Sequence, residues 1–312
     1  MNKMGRLLEI YQQEGAISAT KSIGAHILVE SQAAPQLKRL LGDVLHQKVW
    51  MYCKLGYWPH IKQPRTFNEK IMHRKLFSDN DLFSTVENKW SVRDYVADKV
   101  GPEILPEIYH VTTDPNSIPF DSLPSDFVVK PTHLSDSSVI MVDDKCEINP
   151  NEVRKRCKEW LSQSHGRIKG EYWYEQIEPQ IIVEERLHSI KNNVPLDYKF
   201  LVFHGDVKAI HVTLNRFSTN QTTRTFYDRH WNPLDVKLHF DKGQEIAKPD
   251  KLDEMIRIAE KLGEDFSHIR VDLYSPNDNE IVFGEMTVAE SSGANPFVPR
   301  EYDFKLGEYW NV

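Results

Sequence analysis

The chain has 312 residues, 40% of them apolar and 27% charged, with a net charge of −7. That length suffices for a large core and more than one domain or subdomain, and the mildly acidic balance gives no support to a nucleic-acid partner. No run of 18 apolar residues is present, Met1–Gln13 lack the apolar core of a signal peptide, and the three cysteines Cys53, Cys146 and Cys157 are widely spaced, which together predict a cytoplasmic protein without an integral membrane segment.

Residues 1–58 read as helical, because Leu37, Leu40, Leu41, Val44, Leu45, Val49 and Trp50 recur at helical spacing. The aromatic end of this stretch, Trp50 to Trp58, is a core-facing helix or a docking surface; Lys38, Arg39, Lys48 and Lys54 are too sparse for a lipid surface. In Pro64–Lys70, Thr66 followed three residues on by Glu69 forms a capping box. A second helix is expected from Thr85 to Val100, closed by Gly101 and Pro102, with Lys89 and Arg93 on one face as a phosphate-facing pair or a solvated stripe. Phe127–Pro131 is a short strand ending in Lys130, followed by the polar loop Thr132–Ser138 and a strand over Val139–Val142. Backbone N–H groups of such a loop, with a lysine beside it, suit an anion. Residues 151–163 read as a helix with Val153, Cys157, Trp160 and Leu161 inward, and Gln180–Leu187 as a buried strand running into Glu184 and Glu185. Asp197–Thr213 is a hairpin turning at His204–Asp206, and Leu252–Phe266 an amphipathic helix with Asp250 as its N-cap.

Two strands close the chain, His268–Tyr274 and Glu280–Val288, joined by the turn-forming Pro276–Asn279. Ile269, Val271 and Leu273 alternate with Arg270 and Asp272; Val282, Met286 and Val288 alternate with Glu285 and Thr287. With both apolar faces in the core, Asp272 and Glu285 meet on the opposite face. Two carboxylates beside an arginine suit Mg²⁺ and phosphate, since magnesium takes one or two carboxylates plus phosphate oxygens and arginine stabilises developing negative charge. Charged residues on one face of a hairpin also fit plain solvation.

The order of these parts resembles the ATP-grasp superfamily, and within it the TupA-like ATP-grasp proteins of bacterial surface-polysaccharide clusters. The stretches that carry the resemblance are Pro64–Lys70, Phe127–Pro131, Ile182–Leu187, Asp197–Phe200, Arg270–Tyr274 and Phe283–Thr287, spread over roughly residues 60–310. The resemblance implies an α+β ATP-grasp fold with an N-terminal helical region (1–125), a flap subdomain (126–185) and a C-terminal subdomain (186–312), with ATP between the last two. It implies that Lys130, with Ser135 and Ser137 of the flap, holds nucleotide phosphates. Glu184, Glu185 and Leu187 would form the adenine-binding hinge, and Asp197 and Lys199 would lie near ribose and phosphate. Arg270 would be catalytic together with Lys199, and Asp272 and Glu285 would hold Mg²⁺. Two departures stand out: the flap loop has no glycine, and Thr287 replaces the asparagine common two residues after the metal glutamate, a place that Glu290 would supplement.

The activity implied is an ATP-dependent carboxylate–amine ligase working through an acyl phosphate, with an amino acid and a uronic acid carboxylate or glycan as substrates and polysaccharide-building machinery as its setting. Arg216 and Arg224 would contact an acidic substrate or stand solvated, and His133, Asp136 or Glu290 would take the amine's proton. Rival readings are a kinase on the same fold, an inactive nucleotide-binding scaffold, and a glycosyltransferase using Asp79-Asn80-Asp81. No Ser-His-Asp or Cys-His set suggests a covalent nucleophile.

Overall fold

The computed structural model describes residues 16–134, 138–189, 195–215, 221–277 and 280–312. It opens on three helices, α1 (Ala16–Val29), α2 (Ala34–Leu41) and α3 (Asp43–Leu55). Gly42 (φ 71°) and Gly56 (φ 81°) end the second and third in left-handed backbone, where a missing Cβ removes the steric cost. The break at Gly42 resets the helical phase, so the apolar stripe expected across residues 37–50 splits: Trp50 is buried while Leu40 is 81% exposed. Ala25, Leu28, Trp50 and Met51 pack with Ile61, Met72 and Ala294, which fastens this helical unit to the rest of the chain.

α4 (Phe67–Phe77) begins with the expected capping box: Thr66 Oγ1 accepts from Glu69 N, and Glu69 Oε2 accepts from Thr66 N at 3.2 Å. The single helix expected over 85–100 is instead two, α5 (Leu82–Glu87) and α6 (Val92–Val100). Asn88 turns extended (ψ 113°) and its side chain takes the Trp90 N–H at 2.9 Å, the local competition by which asparagine interrupts helices. Lys89 therefore lies in the break and does not share a helix face with Arg93.

The first sheet is antiparallel in the order β1 (Ile108–Thr112), β4 (Ile181–Glu184), β2 (Phe127–Pro131), β3 (Ile140–Val142). Its strands and α7 (Pro150–Leu161) enclose a small core of Phe127, Val129, Val153, Cys157, Trp160, Ile181 and Val183. This sheet thus draws on the chain from Ile108 onward.

The second sheet carries β5 (Leu196–Phe203), β6 (Asp206–Leu214), β7 (Thr223–Tyr227), the two-residue strands β8 (Pro233–Leu234) and β10 (Asp241–Lys242), and β11 (His268–Ser275) and β12 (Val282–Thr287). Its order is β10-β7-β6-β5-β11-β12, with β8 beside β7, and β9 (Lys237–Leu238) pairs with β13 (Phe297–Val298) outside it. The β5–β6 turn is His204-Gly205, both with positive φ, the geometry that matches strand twist. α8 (Leu252–Gly263) covers the sheet with Leu252, Met255, Ile256, Ala259 and Leu262. It starts after Lys251 without a side-chain cap, so Asp250 does not play the N-cap role expected of it. α9 (Glu301–Glu308) follows, and Trp310 beyond it is fully buried.

Candidate active site

The site forms where three neighbouring strands of the larger sheet align one charged residue each. In register, Lys199 of β5 faces Asp272 of β11, which faces Glu285 of β12. Asp197 and Arg270 stand two residues along their strands, on the same face by the period of two. The pairing expected for Asp272 and Glu285 is thus present. A bulge at Gly284 changes the face assignments beyond it: Leu273 pairs with Phe283, and Phe283 joins Met286 in the main apolar cluster, while Val282, also buried, pairs with Tyr274 outside that cluster. A Cβ on Gly284 would lie 2.9 Å from the Tyr274 ring and 3.0 Å from the Asp272 carbonyl, so the bulge requires glycine.

Arg270 organises the cluster. Its Nε and Nη2 donate to the two Asp272 oxygens at 2.7 and 2.8 Å, Nη2 also reaches Glu285 Oε1 at 2.5 Å, and Nη1 donates to Glu290. Lys199 Nζ pairs with Asp272 and, at 2.7 Å, with Asp197. Arg224, buried on β7, lies 3.9 Å from Glu290 and donates weakly to Thr213 Oγ1 at 3.4 Å. Burial pushes the Asp272 carboxyl up to about 7 against the pull of Arg270 and Lys199. Burial also raises Glu290, but Arg270 and Arg224 outweigh it and hold that carboxyl well below the usual range. His211, wholly buried beside this face, is held neutral by burial and by Arg224.

With Asp272 ionised, four carboxylates (Asp197, Asp272, Glu285, Glu290) here face three cations (Lys199, Arg224, Arg270), leaving one negative charge in a set that is buried except at Glu285. That is a donor set with room for an added cation. Among the described residues no group of three or more His, Cys, Asp or Glu could hold a metal by itself. Asp272 and Glu285 are two carboxylates, the number magnesium uses when phosphates supply other oxygens, so the residues fit Mg²⁺ bound together with a phosphate.

The smaller sheet contributes a second pair. Lys130 on β2 and Glu184 on β4 approach to 2.5 Å, and both are only partly exposed. Glu185 turns toward β1, accepting from Glu107 N at 3.1 Å while its own N–H donates to Glu107 O at 2.8 Å. Leu187 lies beyond the strand, half-buried. Lys89 stands between the two sheets: its N–H donates to Thr132 O at 3.2 Å, its Nζ to Leu134 O, and Glu285, Lys130, Glu87 and Glu184 are its charged neighbours. Burial lowers its pKa, with Lys130 pushing the same way. Arg93 is apart from it, bonded to Pro106 O at 2.8 Å.

Other candidates lie elsewhere. His133 is buried in the smaller core, where its Nε2 meets Trp160 O at 3.1 Å. Ser135, Asp136, Ser137 and Arg216 lie outside the described residues. Asp79 and Asp81 flank Asn80, whose N–H donates to the Tyr172 hydroxyl at 3.1 Å, and neither lines the main cavity. Sequence reasoning missed Glu87, buried at the end of α5, which accepts from Val288 N at 2.7 Å and from the Tyr174 hydroxyl at 2.5 Å. It also missed Arg74 of α4, whose guanidinium donates to the carbonyls of His268 (2.8 Å) and Val288 (2.9 Å), bracing both ends of the charged hairpin. Gly284 was readable: a glycine inside a strand pattern signals a bulge.

The family model described as TupA-like ATPgrasp matches residues 69–311. The chain belongs to the TupA-like ATP-grasp family. Its α+β architecture, with a smaller sheet, a larger sheet and helices before them, is the ATP-grasp fold. No curated protein matches it. Solved structures with a similar fold include a D-alanine–D-alanine ligase from Bacillus anthracis, at 14% identity and TM-score 0.41, covering 66% of this chain and 59% of that one. An L-amino acid ligase from Bacillus licheniformis is 16% identical with TM-score 0.43, covering 78% of this chain and 48% of that one. This ATP-grasp chain therefore spans about three-fifths of the first and about half of the second.

Proposed function

We propose that the protein is an ATP-dependent ligase that joins a carboxylate to an amine. The observation that carries this reading is the row Lys199–Asp272–Glu285, bridged by Arg270, in a chain of the TupA-like ATP-grasp family. Lys130 and Lys89 would hold nucleotide phosphates, Glu184 to Leu187 the adenine, and Asp197 and Lys199 the ribose–phosphate side; Ser135 and Ser137 would complete the flap. Mg²⁺, held by Asp272 and Glu285, would neutralise phosphate charge.

In the first step a carboxylate oxygen of the acceptor bonds to the γ-phosphorus of ATP as the β–γ bridging bond breaks, giving ADP and an acyl phosphate. In the second, an amine nitrogen attacks the acyl carbon, the C–O bond to phosphate breaks, and the amine proton passes to the departing phosphate. Arg270, which donates to Asp272 and Glu285 here, would stabilise the oxyanion of that tetrahedral species. Arg224 and Arg216 would meet an acidic acceptor. Surface-polysaccharide synthesis in the cytoplasm, with an amino acid joined to a uronic acid, is the setting in keeping with the sequence resemblance; no helix among the described residues is long and apolar enough to cross a membrane.

The test is ADP release with Mg·ATP over a panel of uronic acids, uronate-containing glycans and amino acids, beside the Asp272→Asn/Glu285→Gln variant. Release that needs both a carboxylate and an amine, and is lost in the variant, supports the ligase. Release with one substrate and a stable phosphorylated product makes it a kinase.

A further inference from the structure

At neutral pH an amino acid's amine is an ammonium ion, so the proposed ligation needs one proton removed before attack. The proton lost in the attack itself goes to phosphate, as above. Of the bases expected from the sequence, His133 is closed into the smaller core and Glu290 is locked onto Arg270. The cavity of about 1710 Å³ that Lys89, Arg270 and Glu285 line holds one more constellation, His165 with Glu171, beside Ser292.

A tight turn after α7 builds this pair. The Glu171 N–H donates to Gly166 O at 3.0 Å, which folds the segment back and sets Glu171 beside His165. Gly166 (φ 89°) is required, because a Cβ there would lie 2.2 Å from the Glu171 carbonyl oxygen. His165 Nε2 stands 3.7 Å from Glu171 Oε2, longer than a hydrogen bond, as catalytic pairs often are before substrate binds. The His165 ring meets the Tyr174 ring edge-on at 4.7 Å, which fixes its plane. His165 keeps 16% of its side chain exposed, whereas Glu171 is buried.

Glu171 is anchored from behind. It accepts from Ser292 Oγ, and Lys75 of α4 donates to that same oxygen at 2.9 Å. Burial pushes the Glu171 carboxyl up, but His165, Lys75, Ser292 and Lys169 together hold it at about 2. It is therefore ionised across the neutral range and suited to orient an imidazole and to stabilise its cation. The charged groups around the pair are Lys75 of α4 and Lys169 of the same turn, with His133 of the smaller core beyond.

We propose that His165 takes the ammonium proton of the amine substrate, with Glu171 as the positioning residue behind it. In that step an N–H bond breaks, its electron pair stays on the amine nitrogen, and the proton joins the imidazole. The imidazolium, stabilised by Glu171, then yields the proton to solvent. This rests on the ligase reading.

The test compares two nucleophiles, with Mg·ATP and galacturonate or glucuronate as the carboxylate. L-alanine is an ammonium ion at pH 7; hydroxylamine is already neutral there and gives a hydroxamate. His165→Gln should slow the alanine reaction about 10²-fold or more, the scale of a general base, and change hydroxamate formation less than about threefold. Retained hydroxamate formation also shows that the variant is folded. The alanine deficit should shrink as pH rises toward the amine's own pKa, where no base is needed. Added imidazole should restore alanine turnover to His165→Ala, and Glu171→Gln should show the same bias toward hydroxylamine. Equal slowing with both nucleophiles, no slowing with alanine, or a deficit unchanged by pH overturns the assignment of His165 and leaves the ligase standing. No hydroxamate from the unaltered chain overturns the ligase reading, and this assignment with it.

Discussion

The two sheets handle charge in opposite ways. In the larger sheet six buried charged groups on β5, β7, β11 and the turn after β12 are held by one another, with the partly exposed Glu285 of β12 joined to them through Arg270. In the smaller sheet one lysine and one glutamate pair across β2 and β4 with part of each in solvent, over a core of a dozen buried residues. A buried network is costly to break because a lost partner leaves an uncompensated charge, whereas a partly exposed pair adds little to stability. The larger sheet therefore presents a preset, interlocked constellation, and the smaller one a single, less enclosed ion pair.

The largest effect should come from the row itself. Asp272→Asn or Glu285→Gln should lower kcat about 10²–10³-fold or more, the scale of removing one preorganised electrostatic contact. Next is the brace behind it. Arg74→Leu leaves the carbonyls of His268 and Val288 without their donor, and should cost on the order of 2–4 kcal/mol in urea unfolding, since each stranded buried acceptor costs about 1–3 kcal/mol. In the smaller sheet Lys130→Gln should change stability by less than about 1 kcal/mol, while weakening nucleotide binding about tenfold or more, the scale of a lost charge-assisted hydrogen bond. Equal stability losses for Lys130→Gln and Arg74→Leu would erase the contrast between the sheets.

The smallest effect concerns pH. Burial raises the Glu87 carboxyl to about 8 from an ordinary 4.5, although the Tyr174 hydroxyl and the Val288 N–H pull it down. Between those values the folded chain keeps a proton that the unfolded chain gives up, so this group's contribution is full below about 4.5 and is lost as pH rises to about 8. Glu87→Gln imitates the protonated acid, its carbonyl accepting from Val288 and its amide donating to Tyr174. It should fold, and should flatten the fall of stability between pH 5 and 8 seen by denaturant titration.

Much of this was legible beforehand for local reasons. The capping box at Thr66 and Glu69, the strand at Lys130 and the register of Asp272 with Glu285 each follow from spacing within a few residues. What escaped depends on groups far apart in the chain. Arg74 braces backbone 194 and 214 residues away, and Glu87 bonds across 201. No period or turn signal encodes such pairings. The break at Asn88 was a local competition decided by one side chain, and the Gly284 bulge moved Val282 off the face that strict alternation gave it. The helical reading of residues 1–58 holds where the structure describes them, but the break at Gly42, where φ of 71° stops a helix and Leu40 turns to solvent, was not in it.

The central claim is a carboxylate activated by phosphoryl transfer. An acceptor labelled with ¹⁸O in its carboxylate, turned over with Mg·ATP and an amine, tests it most directly. The released phosphate is expected to carry one ¹⁸O per turnover, because the carboxylate oxygen bonds to phosphorus and the acyl C–O bond later breaks. Phosphate free of label, with both ¹⁸O atoms retained in the product, would contradict it.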